Sequence, residues 1–193
     1  MDWSVTPFQG KLNGAQLTNY SIRLTSLESA QTELFFSANL PPATVTGLTA
    51  STPYAVEVAV NNEVGSGPFS ASTNILTLQA VPSAAPANFA VSGVSSTFLV
   101  LVWQPLPTDK ANGVIIRYTI TATVEGETDP SFTRTVDGSA NALVLDQLDA
   151  ATIYILRISA TNEAGAGPES APLTAPRTQS SGEGSCCTRL TLC

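Results

Sequence analysis

The chain has 193 residues, of which 43% are apolar and only 12% are charged, and its formal net charge is −7. Its eight lysines and arginines are scattered singly over an acidic chain, so nucleic acid and anionic membrane surfaces are not expected partners. There is no histidine, which removes the commonest general base and zinc ligand, and no apolar run of about 18 residues exists that would insert into a membrane.

The first half of the chain contains a predicted strand that leads into a glycine-rich turn. Residues on one parity are apolar, namely Tyr54, Val56, Val58 and Val60. The other parity carries Glu57, Ala59 and Asn61. This period of two predicts a strand with one buried face and one solvated face. The following NEVGSGP, at residues 62–68, is typical of a turn.

The second half shows the same alternation in several short segments. We predict strands at residues 87–92, 96–104, 114–124, 131–137, 141–145, 153–161 and 169–175. In the third of these, the buried parity is Val114, Ile116, Tyr118, Ile120, Ala122 and Val124. Proline, glycine, asparagine and aspartate separate the strands, and helical spacing is not sustained. Seven short strands of this kind predict an all-β, two-sheet antiparallel sandwich.

The two halves repeat one another. LTASTPYAVEVAVNNEVGSGP at residues 48–68 aligns without gaps on LDAATIYILRISATNEAGAGP at residues 148–168. The offset between Leu48 and Leu148 is 100 residues, which indicates two copies of one domain and not a solenoid of short units. We therefore predict domains at residues 1–79 and 82–178, joined by a short segment that Pro82 and Pro86 stiffen.

The ordered landmarks of each copy resemble the fibronectin type III family. Those landmarks are Trp3, Tyr20, Leu48, Tyr54, Gly65 and Gly67 in the first copy, and Trp103, Tyr118, Leu148, Tyr154, Gly165 and Gly167 in the second. The resemblance implies two seven-stranded immunoglobulin-like sandwiches in tandem. It places Trp103 in the core beside Leu99 and Leu101. It also makes Tyr154 the tyrosine of a tyrosine corner that closes the turn beginning at Leu148.

No catalytic residue, metal site or cofactor is predicted, and the chain is not expected to be an enzyme. Two acidic groups could in principle form an acid–base pair or a calcium site, namely Glu125, Glu127 and Asp129, and Asp146 and Asp149. Solvated loops are favoured, because the first copy has no acidic cluster at either equivalent place. GAGPES resembles a phosphate-binding loop only superficially, since no third glycine, lysine or helix start follows.

Two further features concern modification and the end of the chain. Asn19 begins the sequon Asn-Tyr-Ser and has the parity opposite to Tyr20, so it is a candidate glycosylation site facing solvent. Residues 179–193 are predicted to be a disordered tail that carries Cys186, Cys187 and Cys193. Acylation or bonds between chains are alternatives for these cysteines. A tail read from a non-coding extension is the favoured interpretation.

The first copy is expected to lack its first strand and nearly all of its second. Residues 86–102 precede Trp103 in the second copy, whereas two residues precede Trp3. The counterparts of two core leucines, worth roughly 3–6 kcal/mol, would be missing. An open sheet edge would also invite association with other chains. Either Met1 is internal to a longer protein, which we favour, or the chain is a genuine short product; the start, MDWSVTPFQGK, has no secretory signal pattern.

The resemblance implies a non-catalytic protein–protein interaction module from the ectodomain of a larger adhesion, receptor or matrix protein. Such a module would be extracellular or at the cell surface, without inserting into the membrane. Two alternatives stay open: a mechanical spacer, extracellular or muscle-type intracellular, or an accessory module of a receptor phosphatase or secreted hydrolase. The sequence names no ligand and no partner protein.

Overall fold

The computed structural model describes residues 17–37 and 43–180. The chain divides into two compact units, Met1–Leu78 and Gln79–Cys193. The predictions for Trp3 and for the three cysteines of the tail lie outside the described residues. Within the described residues no helix is long and apolar enough to cross a membrane.

In residues 17–37 and 43–78, the first unit contains one antiparallel sheet of four strands. They are β1 (Leu17–Ser26), β2 (Thr32–Ser37), β3 (Pro53–Asn62) and β4 (Thr73–Leu76), in the order β2-β1-β3-β4. Tyr20 pairs with Val60 and Leu24 with Val56, so the apolar parities of β1 and β3 lie on one face. Tyr20, Leu24 and Tyr54 are buried there, whereas Val56 is only half-buried.

The opposite face of β3 differs from the prediction. Ala59 and Asn61 were expected in water, yet both are buried. Ala59 is small and lies opposite Ser21, and the Nδ2 group of Asn61 donates a hydrogen bond of 2.8 Å to the Ser21 hydroxyl. The alternation therefore gave the side of the strand on which each of these residues lies, but not how deeply the residue is buried.

The second unit consists of two antiparallel sheets. Its elements are β5 (Ala87–Val94), β6 (Leu99–Gln104), α1 (Thr108–Ala111), β7 (Arg117–Val124), β8 (Phe132–Asp137), β9 (Ala142–Leu145), β10 (Tyr154–Asn162), β11 (Gly165–Ala166) and β12 (Leu173–Thr174). One sheet has the order β5-β6-β9. The other has the order β11-β10-β7-β8, with β12 also pairing with β10. The all-β antiparallel fold predicted from the alternation is confirmed.

The core of this unit lies between the two sheets. Its buried members are Leu99, Leu101, Trp103, Tyr118, Ile120, Ala122, Leu145, Leu148, Tyr154, Leu156, Ile158, Ala160 and Ala175. Trp103 and Tyr118 meet edge to face, with ring centroids 5.5 Å apart and planes inclined by 64°. Burial of each large apolar side chain contributes about 1.5–3 kcal/mol, so this cluster holds the sheets together.

Two local predictions for this unit are wrong, and one short element was not predicted. The strand predicted at 114–124 begins at Arg117, and Val114 and Ile116 are 70% and 45% exposed. Of the segment predicted at 169–175, only Leu173–Thr174 form a strand, although the backbone N–H groups of Ser170 and Ala175 also donate to carbonyls of β10. A single helical turn, α1, occurs between β6 and β7 where none was predicted.

Candidate interaction site

Tyr154 joins two parts of the second unit through its hydroxyl group. The side chain is buried at the start of β10, and its Oη atom accepts a hydrogen bond of 3.0 Å from the backbone N–H of Asp149. The neighbouring backbone N–H of Leu148 donates to the carbonyl of Thr97. Burial raises the pKa of Tyr154, while the hydrogen bond from Asp149 acts in the opposite direction. Two hydrogen bonds therefore anchor the connection between β9 and β10, one to the Tyr154 hydroxyl and one to the Thr97 carbonyl.

The first unit has the same arrangement. Its Tyr54 hydroxyl accepts a hydrogen bond of 3.1 Å from the backbone N–H of Thr49. In each unit the tyrosine hydroxyl therefore accepts a hydrogen bond from the backbone N–H five residues before it. The resemblance assigned such a corner to Tyr154, and Tyr54 is the residue aligned with it.

A threonine that the sequence analysis missed completes each corner. Thr178 Oγ1 accepts a hydrogen bond of 2.8 Å from Thr152 N–H and donates one of 2.7 Å to the Asp149 carbonyl. Thr77 makes the corresponding bonds, at 2.9 and 2.7 Å, in the first unit. The gapless alignment stops at residues 68 and 168, before Thr77 and Thr178 respectively, so the repeat gave no signal for these threonines.

The repeated glycine-rich segments are turns organised by an asparagine. Asn162 is only 2% exposed, and its Oδ1 atom accepts hydrogen bonds from the backbone N–H groups of Ala164 and Gly165. In the first unit, Asn62 accepts from Val64 and Gly65 in the same way. An asparagine that bonds its own following backbone is a turn-forming device. The aligned asparagines were visible in the sequence, but their role was not predicted.

The structure does not assemble the acidic residues into a site. Glu125, Glu127 and Asp129 are exposed, and Glu127 accepts a hydrogen bond of 3.3 Å from the Ser131 hydroxyl. Asp146 lies on a different loop, after β9, where its Oδ1 atom is 4.0 Å from a nitrogen of Arg134 on β8. In residues 17–37 and 43–180 no three histidine, cysteine, aspartate or glutamate side chains are close enough to hold a metal ion.

Asn19 was expected to face solvent, and it is half-buried. Its Oδ1 atom accepts a hydrogen bond of 2.5 Å from Asn61, which also bonds Ser21. The sequon asparagine and serine are therefore joined through one amide on the outer face of the first sheet. Glycosylation of Asn19 stays a prediction.

One sheet face of the second unit is rich in hydroxyl groups, and we call it the threonine face. It consists of Thr119, Thr121, Thr123, Thr133, Thr135 and Ser159, side by side on β8, β7 and β10. β-Branched threonines suit a half-buried strand surface. Because the opposite parity of these strands fills the core, this face points away from the second sheet.

Charged pairs border the threonine face. Arg157 and Glu169 are 3.6 Å apart on one side, and Arg117 lies opposite Asp137 in the register of β7 and β8. Both the hydroxyl and the backbone N–H of Ser139 donate to Asp137, at 2.6 and 2.9 Å, and lower its pKa. Exposed pairs of this kind contribute little to stability, but they give the surface a charge pattern.

A depression beside Tyr54 in the first unit is too small for a metabolite. Its volume is about 80 Å³, and Leu24, Ser26, Gln31 and Glu33 contribute to its walls. Small-molecule sites usually measure about 300–1,000 Å³. This depression is therefore not a substrate pocket.

These features define an antiparallel β-sandwich with a tyrosine corner and an extended polar sheet face. Residues 84–176 match the family described as "Fibronectin type III domain". Residues 84–176 therefore form a fibronectin type III domain, as the landmarks of the second copy indicated.

Similar proteins are large, and the chain matches a small part of each. "Protein sidekick-2" of Mus musculus is 34% identical over 62% of this chain and 6% of its own length. "Neural cell adhesion molecule L1-like protein" of Homo sapiens is 32% identical over 62% of this chain and 10% of its own length. "Tyrosine-protein phosphatase Lar" of Drosophila melanogaster is 33% identical over 70% of this chain and 7% of its own length. The chain therefore spans about a tenth of such relatives or less.

Among solved structures, the chain is similar to that of "chicken CNTN1 FN1-FN3 domains". The similarity covers 83% of this chain and 56% of the other, with 22% identity and a TM-score of 0.48.

Proposed function

We propose that the chain is a non-catalytic protein–protein interaction module from the extracellular part of a larger adhesion or receptor protein. The observation that carries this proposal is the set of relatives, whose names include a cell adhesion molecule and a tyrosine phosphatase. The relatives match 62–70% of this chain, in which residues 84–176 are a fibronectin type III domain. The module occurs in proteins named as enzymes and in proteins that are not. Its role in both is therefore better explained by recognition of other proteins than by catalysis.

The composition supports a role without chemistry. The full chain has no histidine, and the two acidic groups of the second copy, at residues 125–129 and 146–149, lie on separate loops. A phosphatase activity belongs to the relative that bears the name, and this chain would act beside such an activity, not perform it.

We assign partner contact to the threonine face. Its hydroxyl groups both donate and accept hydrogen bonds, and their short side chains lose little rotamer freedom when a partner orders them. The bordering Arg157–Glu169 and Arg117–Asp137 pairs supply charge of both signs, which favours a particular orientation of the partner. A stable interface needs about 800 Å² from each partner, which a flat sheet face supplies more readily than a single loop.

The test is binding of the chain to cell-surface proteins. The full chain, displayed in multiple copies, would be incubated with cells that each express one extracellular domain. We expect saturable binding to at least one of them. The double variant T121R/T135R, which places two bulky cations on the threonine face, should abolish that binding.

The matched control is Ala142→Arg, which puts the same side chain on an exposed position of β9 in the other sheet. It should leave binding intact. Absence of saturable binding to any of the tested extracellular domains would overturn the interaction proposal and favour the alternative of a mechanical spacer. Equal loss of binding in A142R and T121R/T135R would instead move the contact away from the threonine face.

Association of the first unit through a sheet edge is a separate proposal. In the described sheet, β2 and β4 are the outer strands, and Leu76 of β4 is exposed. Unpaired backbone groups on such strands favour pairing with another chain. Concentration-dependent sedimentation would test it: a monomer at all concentrations would rule it out.

A further inference from the structure

The segment that leads into the second unit is seated on that unit along its whole length. We call residues 79–83 the linker segment. The backbone N–H groups of Ala80 and Ser83 donate to the carbonyls of Asn112 and Lys110, at 3.1 and 2.8 Å. Asn162 Nδ2 donates to the Ala80 carbonyl at 2.7 Å, and Asn112 Nδ2 donates to the Val81 carbonyl at 2.9 Å.

Two glycines of the second turn, residues 162–168, make room for this segment. A Cβ atom on Gly167 would lie 2.7 Å from Pro82 Cβ and 2.8 Å from the Pro82 carbonyl oxygen. A Cβ atom on Gly165 would lie 3.1 Å from a methyl group of Val81. The first two distances are shorter than real Cβ contacts allow, so the proline can pack here only against a glycine. Pro82 is in fact fully buried.

The first turn, residues 62–68, has the same backbone structure. Gly67 N–H donates to the Val60 carbonyl at 2.8 Å, and Gly167 N–H donates to the Ala160 carbonyl at 2.8 Å. Asn62 accepts the same pair of backbone hydrogen bonds as Asn162. The two turns therefore present the same asparagine and the same glycines in the same arrangement.

The surroundings of the two turns differ. Among the described residues, nothing lies within 4 Å of a Cβ atom placed on Gly65, and one placed on Gly67 meets only Val60, at 3.2 and 3.6 Å. Val64, which lies in the chain between Asn62 and Gly65, is 87% exposed. Gly67 and Gly167 both lie outside the left-handed region, so backbone conformation does not demand glycine at either position. At Gly167 the glycine provides room for a proline, and Gly67 offers equivalent room.

We propose that the first turn is a docking site for an extended polypeptide segment with the chemistry of the linker segment: small side chains around a valine and a proline. The proline would pack against Gly67 and the valine against Gly65, while Asn62 Nδ2 donates to a main-chain carbonyl of the segment. The occupied second turn is the precedent within the same chain. This inference does not rest on the proposed function, because it concerns a different unit and a different surface.

The first experiment uses the peptide QAVPSAAP, which is residues 79–86 of this chain, as the probe. It would be titrated into the isotope-labelled full chain while amide resonances are followed. We expect saturable shifts confined to residues 62–67, including the side-chain amide of Asn62. A peptide with V81D and P82E should cause none.

The variant Gly67→Ala provides the matched block. Its methyl group meets only the Val60 carbonyl at 3.2 Å within the described residues, yet it would occupy the place of the proline. Loss of the peptide-induced shifts in G67A supports the proposal. Shifts that persist in G67A, or no shifts in the parent chain at the highest soluble peptide concentration, overturn it.

A second experiment does not require the first unit to be stable. The two turns differ only at two exposed positions, so A164V/A166S gives the second unit the sequence NEVGSGP of the first turn. If that sequence can seat a linker, hydrogen exchange of the Ala80 and Ser83 amides should be as slow as in the parent chain. Fast exchange at both amides would show that the first turn's sequence cannot seat the segment and would overturn the proposal.

Discussion

The Tyr154 hydroxyl accepts the backbone N–H of Asp149, and Tyr154→Phe removes this acceptor while keeping the ring. We expect the second unit to lose about 1–2 kcal/mol of unfolding free energy, because the N–H group in a partly buried turn loses its partner. Urea unfolding followed by circular dichroism would measure the loss. Thr121→Ser, on the threonine face, is the control and should stay within about 0.5 kcal/mol of the parent. Identical midpoints for Y154F and the parent would contradict the role of the corner.

The same tyrosine makes stability depend on alkaline pH. Burial raises the pKa of Tyr154 and of Tyr118, the latter opposed by a hydrogen bond from the Leu106 backbone. The folded protein therefore keeps these protons at a pH where the unfolded chain releases them. The contribution of the two tyrosines to the free energy of unfolding is complete below about pH 10, the ordinary tyrosine pKa. It is lost as the pH rises through their raised pKa values in the folded protein. Y154F should show a shallower fall, by up to about 1.4 kcal/mol per pH unit. Equal slopes between about pH 9 and pH 12 would refute this.

Side-chain roles were predictable where the sequence pattern and the physical constraint coincide. Tyr154 and Trp103 stand at recognisable places in an alternating pattern, and both are buried. The hydrogen bond from Asn162 to Ala80 and the role of Thr178 were missed, because these partners lie 82 and 29 residues away in the chain and no local pattern records such pairs.

At the scale of the element, alternation located the strands but not their ends. Strand β7 was predicted from residue 114, yet Val114 and Ile116 are exposed although they share the parity of Tyr118. Ile116 still donates its N–H to the Thr161 carbonyl, so the backbone is paired beyond the edge of the core. Periodicity shows which side of a sheet a residue faces, whereas burial also needs a second layer at that point. The sequence of one strand contains no information on where that layer stops.

The turns offer a matched pair of substitutions. Gly167→Ala would press a methyl group onto Pro82 at 2.7 Å, so the linker segment must shift. We expect a loss of about 1–3 kcal/mol for the second unit, as for other overpacked sites, and faster exchange of the Ala80 amide. Gly67→Ala meets only Val60 at 3.2 Å among the described residues and should change stability by less than about 1 kcal/mol. Equal effects of the two substitutions would show that the glycines serve the turns and not the linker segment.

At the scale of the whole molecule, the two units differ in how completely their sheets are covered. Leu156 and Ile158 of β10 are fully buried between two sheets, whereas their counterparts Val56 and Val58 on β3 are half-buried. Apolar burial contributes about 25 cal/mol for each Å², so we expect the first unit to be the less stable one. Calorimetry of the full chain should therefore show two transitions, and residues 79–180 alone should reproduce the upper one. Amide exchange should assign the lower transition to β1 and β3. A single transition, at a temperature that the isolated second unit does not reach, would mean that the units stabilise each other and unfold together.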